Sequence, residues 1–192
     1  MTQQNLAHAP DGTHYDNSEV ACHTNDALTR VAETGILPVI AIPSVEAAVP
    51  LADALVAGGV RAIEVTLRNP WALEAIAAIR VAHPDMAIGA GTVLAESQVA
   101  AAQAAGADFL VSPGFDPEIV RAAQEVGLPI VPGVVNPSQV TAAVKMGLKV
   151  LKFFPAEQSG GLSALTLLHG PFPDVTFVPT GGLTLANIGA YL

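Results

Sequence analysis

A short phrase of small residues keeps returning along this chain and limits what it can fold into. Ala57-Gly58-Gly59-Val60, Ala105-Gly106-Ala107 and Met146-Gly147-Leu148 each close an Ala-rich stretch and lead into an apolar run, marking one unit repeated at about 22 residues. Glycine just past a helix supplies the left-handed residue that ends it. The apolar runs have the length and composition of buried parallel strands, at 37–42, 61–66, 86–91, 108–112, 129–133, 149–154 and 175–180. Helical stretches lie between them at 45–57, 71–81, 96–105, 117–126, 137–146 and 162–168, with helix-start chemistry at Ser44, Asn69-Pro70 and Asn136-Pro137.

Serial strand–helix units give parallel strands with right-handed crossovers. Regular short spacing without a long crossover favours a (β/α)8 TIM barrel over an open doubly wound sheet. Seven strands are legible and the sequence stops at Leu192, so the expected architecture is an α/β barrel truncated after its seventh strand. Residues 1–24 are polar and without period, and are expected to form a flexible tail; 25–192 form the barrel domain, lacking the last strand and helix. His8, His14 and His23 fall in that tail with no spacing that gathers them on a metal.

Composition narrows the function. A net charge of −9 with eight basic residues among 192 argues against nucleic acid as a partner. No apolar run approaches a membrane span, despite a mean hydropathy of +0.48. Cys22 is the only cysteine, which excludes a disulfide framework and fits a reducing cytoplasm.

Lys152, inside Lys149-Val150-Leu151-Lys152-Phe153-Phe154-Pro155, is the residue that asks for an explanation. An ammonium in a buried strand is costly unless it is paired, reaches solvent at the strand end, or sheds its proton. An amine that sheds its proton easily is a nucleophile for carbonyl carbon. Taken alone, a nucleophile and a snorkelling or paired cation weigh equally. In Arg61-Ala62-Ile63-Glu64-Val65-Thr66-Leu67-Arg68, alternation sends Ile63, Val65 and Leu67 toward the helices, and Ala62, Glu64, Thr66 and Arg68 into the barrel. Barrel interiors are ordinarily filled by branched apolar side chains, so this face is anomalous as packing. Glu64 and Arg68 stand roughly 13 Å apart along an extended strand, too far to satisfy each other. Glu64 on the second strand faces Lys152 on the sixth, and a carboxylate beside a buried amine suits proton transfer in imine chemistry.

Gly89-Ala90-Gly91-Thr92 lacks the third glycine of a dinucleotide site and reads as a strand end that lets substrate approach backbone. Ser112-Pro113-Gly114 and Val131-Pro132-Gly133 are turns as much as ligand sites. Pro179-Thr180-Gly181-Gly182 leads into a helix near Thr184 and offers N–H groups to an anion, as does Gly160-Gly161; tight-turn geometry is the alternative for both. With no His/Asp/Glu set at strand ends, including His83 and His169, neither a metal nor another cofactor is expected.

At these residues the chain resembles the class I 2-keto-3-deoxy-6-phosphogluconate (KDPG) aldolases, often also active on 4-hydroxy-2-oxoglutarate (KHG). The resemblance runs from about Leu37 onward through Glu64-Val65-Thr66-Leu67-Arg68, Gly89-Ala90-Gly91-Thr92-Val93-Leu94, Ser112-Pro113-Gly114, Lys152-Phe153-Phe154-Pro155-Ala156-Glu157 and Pro179-Thr180-Gly181-Gly182. It implies Lys152 as the Schiff-base lysine and Glu64 as the general acid/base. It further implies Arg68 and Thr92 as the grip on the pyruvyl carboxylate, Pro113 and Phe154 as pocket lining, and Gly181 and Gly182 as part of the phosphate site, with Thr180 beside them as a substrate-binding residue. The implied reaction is cleavage of KDPG, a 2-keto acid, to pyruvate and glyceraldehyde 3-phosphate by a cytoplasmic homotrimer. Cleavage of KHG or of 2-keto-3-deoxy-6-phosphogalactonate, and a weakened fragment acting as an oligomeric structural module, are the alternatives. Two departures stand out. Val134-Val135-Asn136 replaces small hydroxyl residues, which bears on aldehyde specificity, and the glycine/serine phosphate turn of the family's last strand is not in the sequence.

Overall fold

The computed structural model describes residues 17–192, with side chains from Asp26 onward. His8 and His14 lie outside the described residues, as does the side chain of His23. Seven strands pair in sequence order, all parallel: β1 (Val39–Ile40), β2 (Ala62–Thr66), β3 (Ala87–Gly91), β4 (Phe109–Ser112), β5 (Ile130–Val134), β6 (Val150–Phe153) and β7 (Thr176–Pro179). The helices are α1 (Asn17–Thr34), α2 (Ala48–Ala57), α3 (Ala72–Ala82), α4 (Glu96–Ala104), α5 (Pro117–Glu125), α6 (Pro137–Lys145) and α7 (Gly161–His169). The sheet curls into an α/β barrel of the TIM type whose edges are β1 and β7.

Strands β2 to β5 are buried on both faces and feed an inner and an outer core, which is why these runs read as nearly continuous apolar text, whereas the edge strands β1 and β7 are half-buried to exposed. Ile63, Val65, Ile88 and Leu110 pack outward against Ile76, Ile79, Val99 and Val120 of the helices. Ala62, Ala87, Phe109, Val111 and Val131 point inward and make a second cluster. The alternation expected on β2 is the one observed.

α1 is the element the sequence analysis lacks. Its first residues overlap the segment assigned there to a tail, and among its described side chains Ala27, Leu28 and Val31 form an apolar stripe. That stripe packs on the inward cluster, so α1 covers the N-terminal end of the barrel interior. Arg30 Nη1 donates to the Asp85 carbonyl at 3.2 Å and ties the helix to the loop before β3. A second tie is Arg80 on α3, which donates to the carbonyls of Gly106, Pro84 and Met86 and pairs with Asp108; Asp108 in turn accepts the Ile88 N–H at 2.8 Å.

Two of the three helix starts differ from expectation. Asn136 does cap α6, accepting the Gln139 N–H. α2 instead begins beyond Ser44, after Ala47, with no side-chain cap. Asn69 is drawn away by a distant acceptor: its amide and the Trp71 indole both donate to the Ile42 carbonyl, at 2.7 and 2.8 Å. A buried carbonyl left without partners costs more than an uncapped helix end. Gly106 and Gly147 end the repeated units with φ of 90° and 81°, as the recurring phrase demands.

Candidate active site

Parallel strands carry their inward side chains to the same end of a barrel, and β2 and β6 use this to bring two charges together. Glu64 and Lys152 are the third residues of their strands, 2% and 6% exposed. Lys152 Nζ lies 3.4 Å from both Glu64 carboxylate oxygens. That is longer than the ~2.7–2.9 Å of a tight charge-assisted bond, so the amine is paired without being locked. Burial raises the Glu64 carboxyl above its ordinary range, while Lys152 and then Arg68 pull it back. Among charged pairs between described residues, this one is the most deeply buried. The Phe154 ring centroid is 5.4 Å from Nζ and adds a cation–π face.

Room for the Glu64 side chain comes from β3. A Cβ at Gly91 would sit 2.2 Å from Glu64 Oε1, and one at Gly89 would sit 2.3 Å from the Phe109 ring. The small residues of Gly89-Ala90-Gly91 therefore make way for neighbouring side chains, which corrects the expectation of backbone laid open to substrate. Gly133 likewise makes way for the Pro113 carbonyl, at 2.1 Å from a built Cβ.

Thr66 was not singled out by itself in the sequence, yet it links the inward polar residues. It accepts from Arg68 Nε at 3.2 Å and its hydroxyl meets the Ile40 carbonyl at 3.3 Å. Thr92 holds a left-handed conformation with φ of 59°, a strained state for a β-branched residue. Thr180 rests on the Val178 carbonyl at 3.4 Å.

A cavity of about 730 Å³ opens beside the buried pair, between β1 and β7. Glu64, Lys152, Thr180, Gly181 and Gly182 all line it, so five of the nine candidate residues share one space. Among the described residues, Glu64 and Lys152 are the only charged side chains in its wall. Arg68, Thr92, Pro113 and Phe154 stand outside that wall, Phe154 against the amine and Arg68 behind Thr66. Among the described residues no group of three His, Cys, Asp or Glu side chains is placed to hold a metal ion, and no helix is long and apolar enough to cross a membrane.

A buried amine and a carboxyl raised by burial stand at one cavity, a set of groups chemically able to form an imine with a carbonyl compound. The family model for KDPG and KHG aldolase matches residues 28–192. The chain belongs to the KDPG and KHG aldolase family. The KHG/KDPG aldolase of Escherichia coli K12 is 48% identical over 157 residues, 82% of this chain and 74% of that protein. Among solved structures, KDPG aldolase from Legionella pneumophila, with pyruvate captured at low pH as a covalent carbinolamine, superposes with a TM-score of 0.79 at 44% identity, covering 81% of this chain and 76% of that one. The Zymomonas mobilis ZM4 KDPG aldolase with 3-phosphoglycerate gives 0.83 at 41% identity, covering 88% and 80%.

Proposed function

We propose that this chain is a class I aldolase cleaving KDPG to pyruvate and glyceraldehyde 3-phosphate. The observation that carries the reading is the buried Lys152–Glu64 pair, its amine 3.4 Å from each carboxylate oxygen at the wall of a cavity. Lys152 Nζ attacks the 2-keto carbon to give a carbinolamine, and loss of water with a proton from Glu64 leaves an iminium. Glu64 then takes the proton of the C4 hydroxyl as the C3–C4 bond breaks, and the electron pair moves into the iminium to form an enamine. The aldehyde leaves. Protonation of the enamine carbon and hydrolysis release pyruvate and the free amine.

A carboxyl group raised by burial suits this alternation, because it holds and gives up a proton closer to neutral pH than a solvated glutamate does. Arg68 and Thr92 on the pyruvyl carboxylate, Pro113 and Phe154 lining the pocket, and Thr180, Gly181 and Gly182 on the substrate, the two glycines at its phosphate, complete the reading. Support for the last group is their place on the cavity wall. The reading extends to a cytoplasmic homotrimer, supported by the family relationship; sedimentation equilibrium and cell fractionation check these two points.

Borohydride reduction in the presence of pyruvate tests the chemistry. A pyruvyl adduct on Lys152 is expected, and none in Lys152→Ala. An equal adduct in that variant moves the nucleophile elsewhere. KHG is the second substrate to weigh, because the E. coli relative carries both activities in its name. The ratio of kcat/KM for KDPG over KHG decides between them.

A further inference from the structure

The segment after β6 holds a carboxylate that the proposed mechanism does not use. Glu157 opens the 3₁₀ turn Glu157–Ser159, and it packs against one glycine of each of two pairs, Gly182 on the cavity wall and Gly161 at the start of α7. Its N–H donates to the Gly181 carbonyl at 3.1 Å. A Cβ at Gly182 would lie 2.6 Å from Glu157 Cβ and 2.8 Å from its Cγ, so the stem of this side chain is seated on bare Gly182 backbone. A Cβ at Gly161, the first residue of α7, would lie 3.2 Å from Glu157 Oε1. The same oxygen accepts the Tyr191 hydroxyl, and a Gly161 Cβ would lie 3.3 Å from that hydroxyl. One side chain therefore meets the turn after β7, the start of α7 and the segment after β7.

We infer that Glu157, held by Tyr191, is a positioning residue: a wedge that sets the spacing of the Gly160-Gly161 and Gly181-Gly182 turns and so gives the site its preference for a phosphorylated substrate. The inference rests on the aldolase reading above. Glycine turns bind an anion through backbone N–H groups, whose direction depends on what is packed behind them. Both turns contain glycines with positive φ, at 104° and 62° in the first and 102° and 77° in the second, so local side chains do little to fix them. Glu157 is the side chain packed against both. Its shape carries the effect, since it meets Gly182 through Cβ and Cγ and meets Gly161 through an oxygen already engaged by the Tyr191 hydroxyl.

Shape and charge give opposite results in two variants. Glu157→Ala removes the wedge, and the KDPG-over-KHG ratio of kcat/KM should fall by about 10-fold or more through KM, as expected for loss of hydrogen bonds to a charged group. Glu157→Gln keeps the shape and an acceptor for Tyr191, and should hold the ratio within about 3-fold of the parent. Tyr191→Phe should fall between them. A ratio unchanged in Glu157→Ala overturns the inference, as does a ratio that rises in Glu157→Gln, which would mark the carboxylate as a competitor for the turns. Borohydride trapping with pyruvate is run on every variant. Adduct formation by the parent protein with an unchanged Glu157→Ala ratio defeats the wedge alone, whereas no adduct in the parent defeats the aldolase reading.

Discussion

Glu64 is held between two influences that act on the same proton. Burial favours its neutral form, and the Lys152 and Arg68 charges favour the ionised one; burial prevails and the carboxyl is raised. The sign of its contribution to stability follows from linkage. A carboxyl with a raised folded-state pKa contributes its full stability below the unfolded value near 4.5, and loses it as pH rises through the folded value. Glu64→Gln removes this titration. Urea unfolding across that pH range should therefore show a declining stability for the parent relative to the variant as pH increases. The same variant should lose about 10²- to 10⁴-fold in turnover, the usual contribution of a positioned acid/base. A large stability loss with retained turnover would instead make Glu64 and Lys152 a structural pair. That these two residues meet was legible in the sequence, because period two on a short strand leaves little freedom for where Glu64 points. The Arg68–Thr66 contact was not, since it depends on how a long side chain folds back at the strand end.

At the scale of elements, β3 is shaped by its neighbours more than by its own side chains. Gly91 faces the Glu64 carboxylate and Gly89 faces the Phe109 ring, so β3 supplies space and β2 and β4 supply the groups that fill it. Gly91→Ala should move the Glu64 side chain. We expect about 1–3 kcal/mol of lost stability from overpacking in urea unfolding. Turnover should fall beyond what the remaining folded fraction explains, by about tenfold or more, because the carboxylate leaves its position beside the amine. Strand and helix positions were readable from periodicity and from the repeated glycine stops. What a missing side chain makes room for was not, because that is a relation across strands which a single strand's text does not contain. Asn69 teaches the same point: locally it is a helix cap, and in the fold its amide answers the Ile42 carbonyl.

Across the whole molecule, the barrel interior holds the Glu64–Lys152 pair beside an apolar cluster of Ala62, Ala87, Phe109, Val111 and Val131, with α1 packed on that cluster. Phe109, Val111 and Val131 line the same cavity as the pair. Ala27 is the buried point of that cover, at 3% exposure. Ala27→Asp would put a carboxylate against the cluster and should lower stability by several kcal/mol, the effective penalty of an unpaired buried charge, seen as a fall in Tm. Pyruvate trapping per folded molecule should stay near the parent value, since Ala27, unlike its neighbours Leu28 and Val31, is not on the wall of the cavity that holds the amine. The barrel was legible from the serial units. α1 was not, because its apolar stripe is short and set among polar residues, and only the open end of a curled sheet makes such a helix worth burying.

The order of pairing bears on when this molecule becomes reactive. Every strand bonds to its neighbour in sequence, so the sheet grows by short-range steps, yet Glu64 and Lys152 are 88 residues apart and meet only across the curl. Before that closure the amine and the carboxylate that would exchange protons with its substrate lie on separate, unjoined parts of the chain. The pairing that the proposed chemistry needs is thus withheld from the nascent polypeptide and delivered only to the finished one.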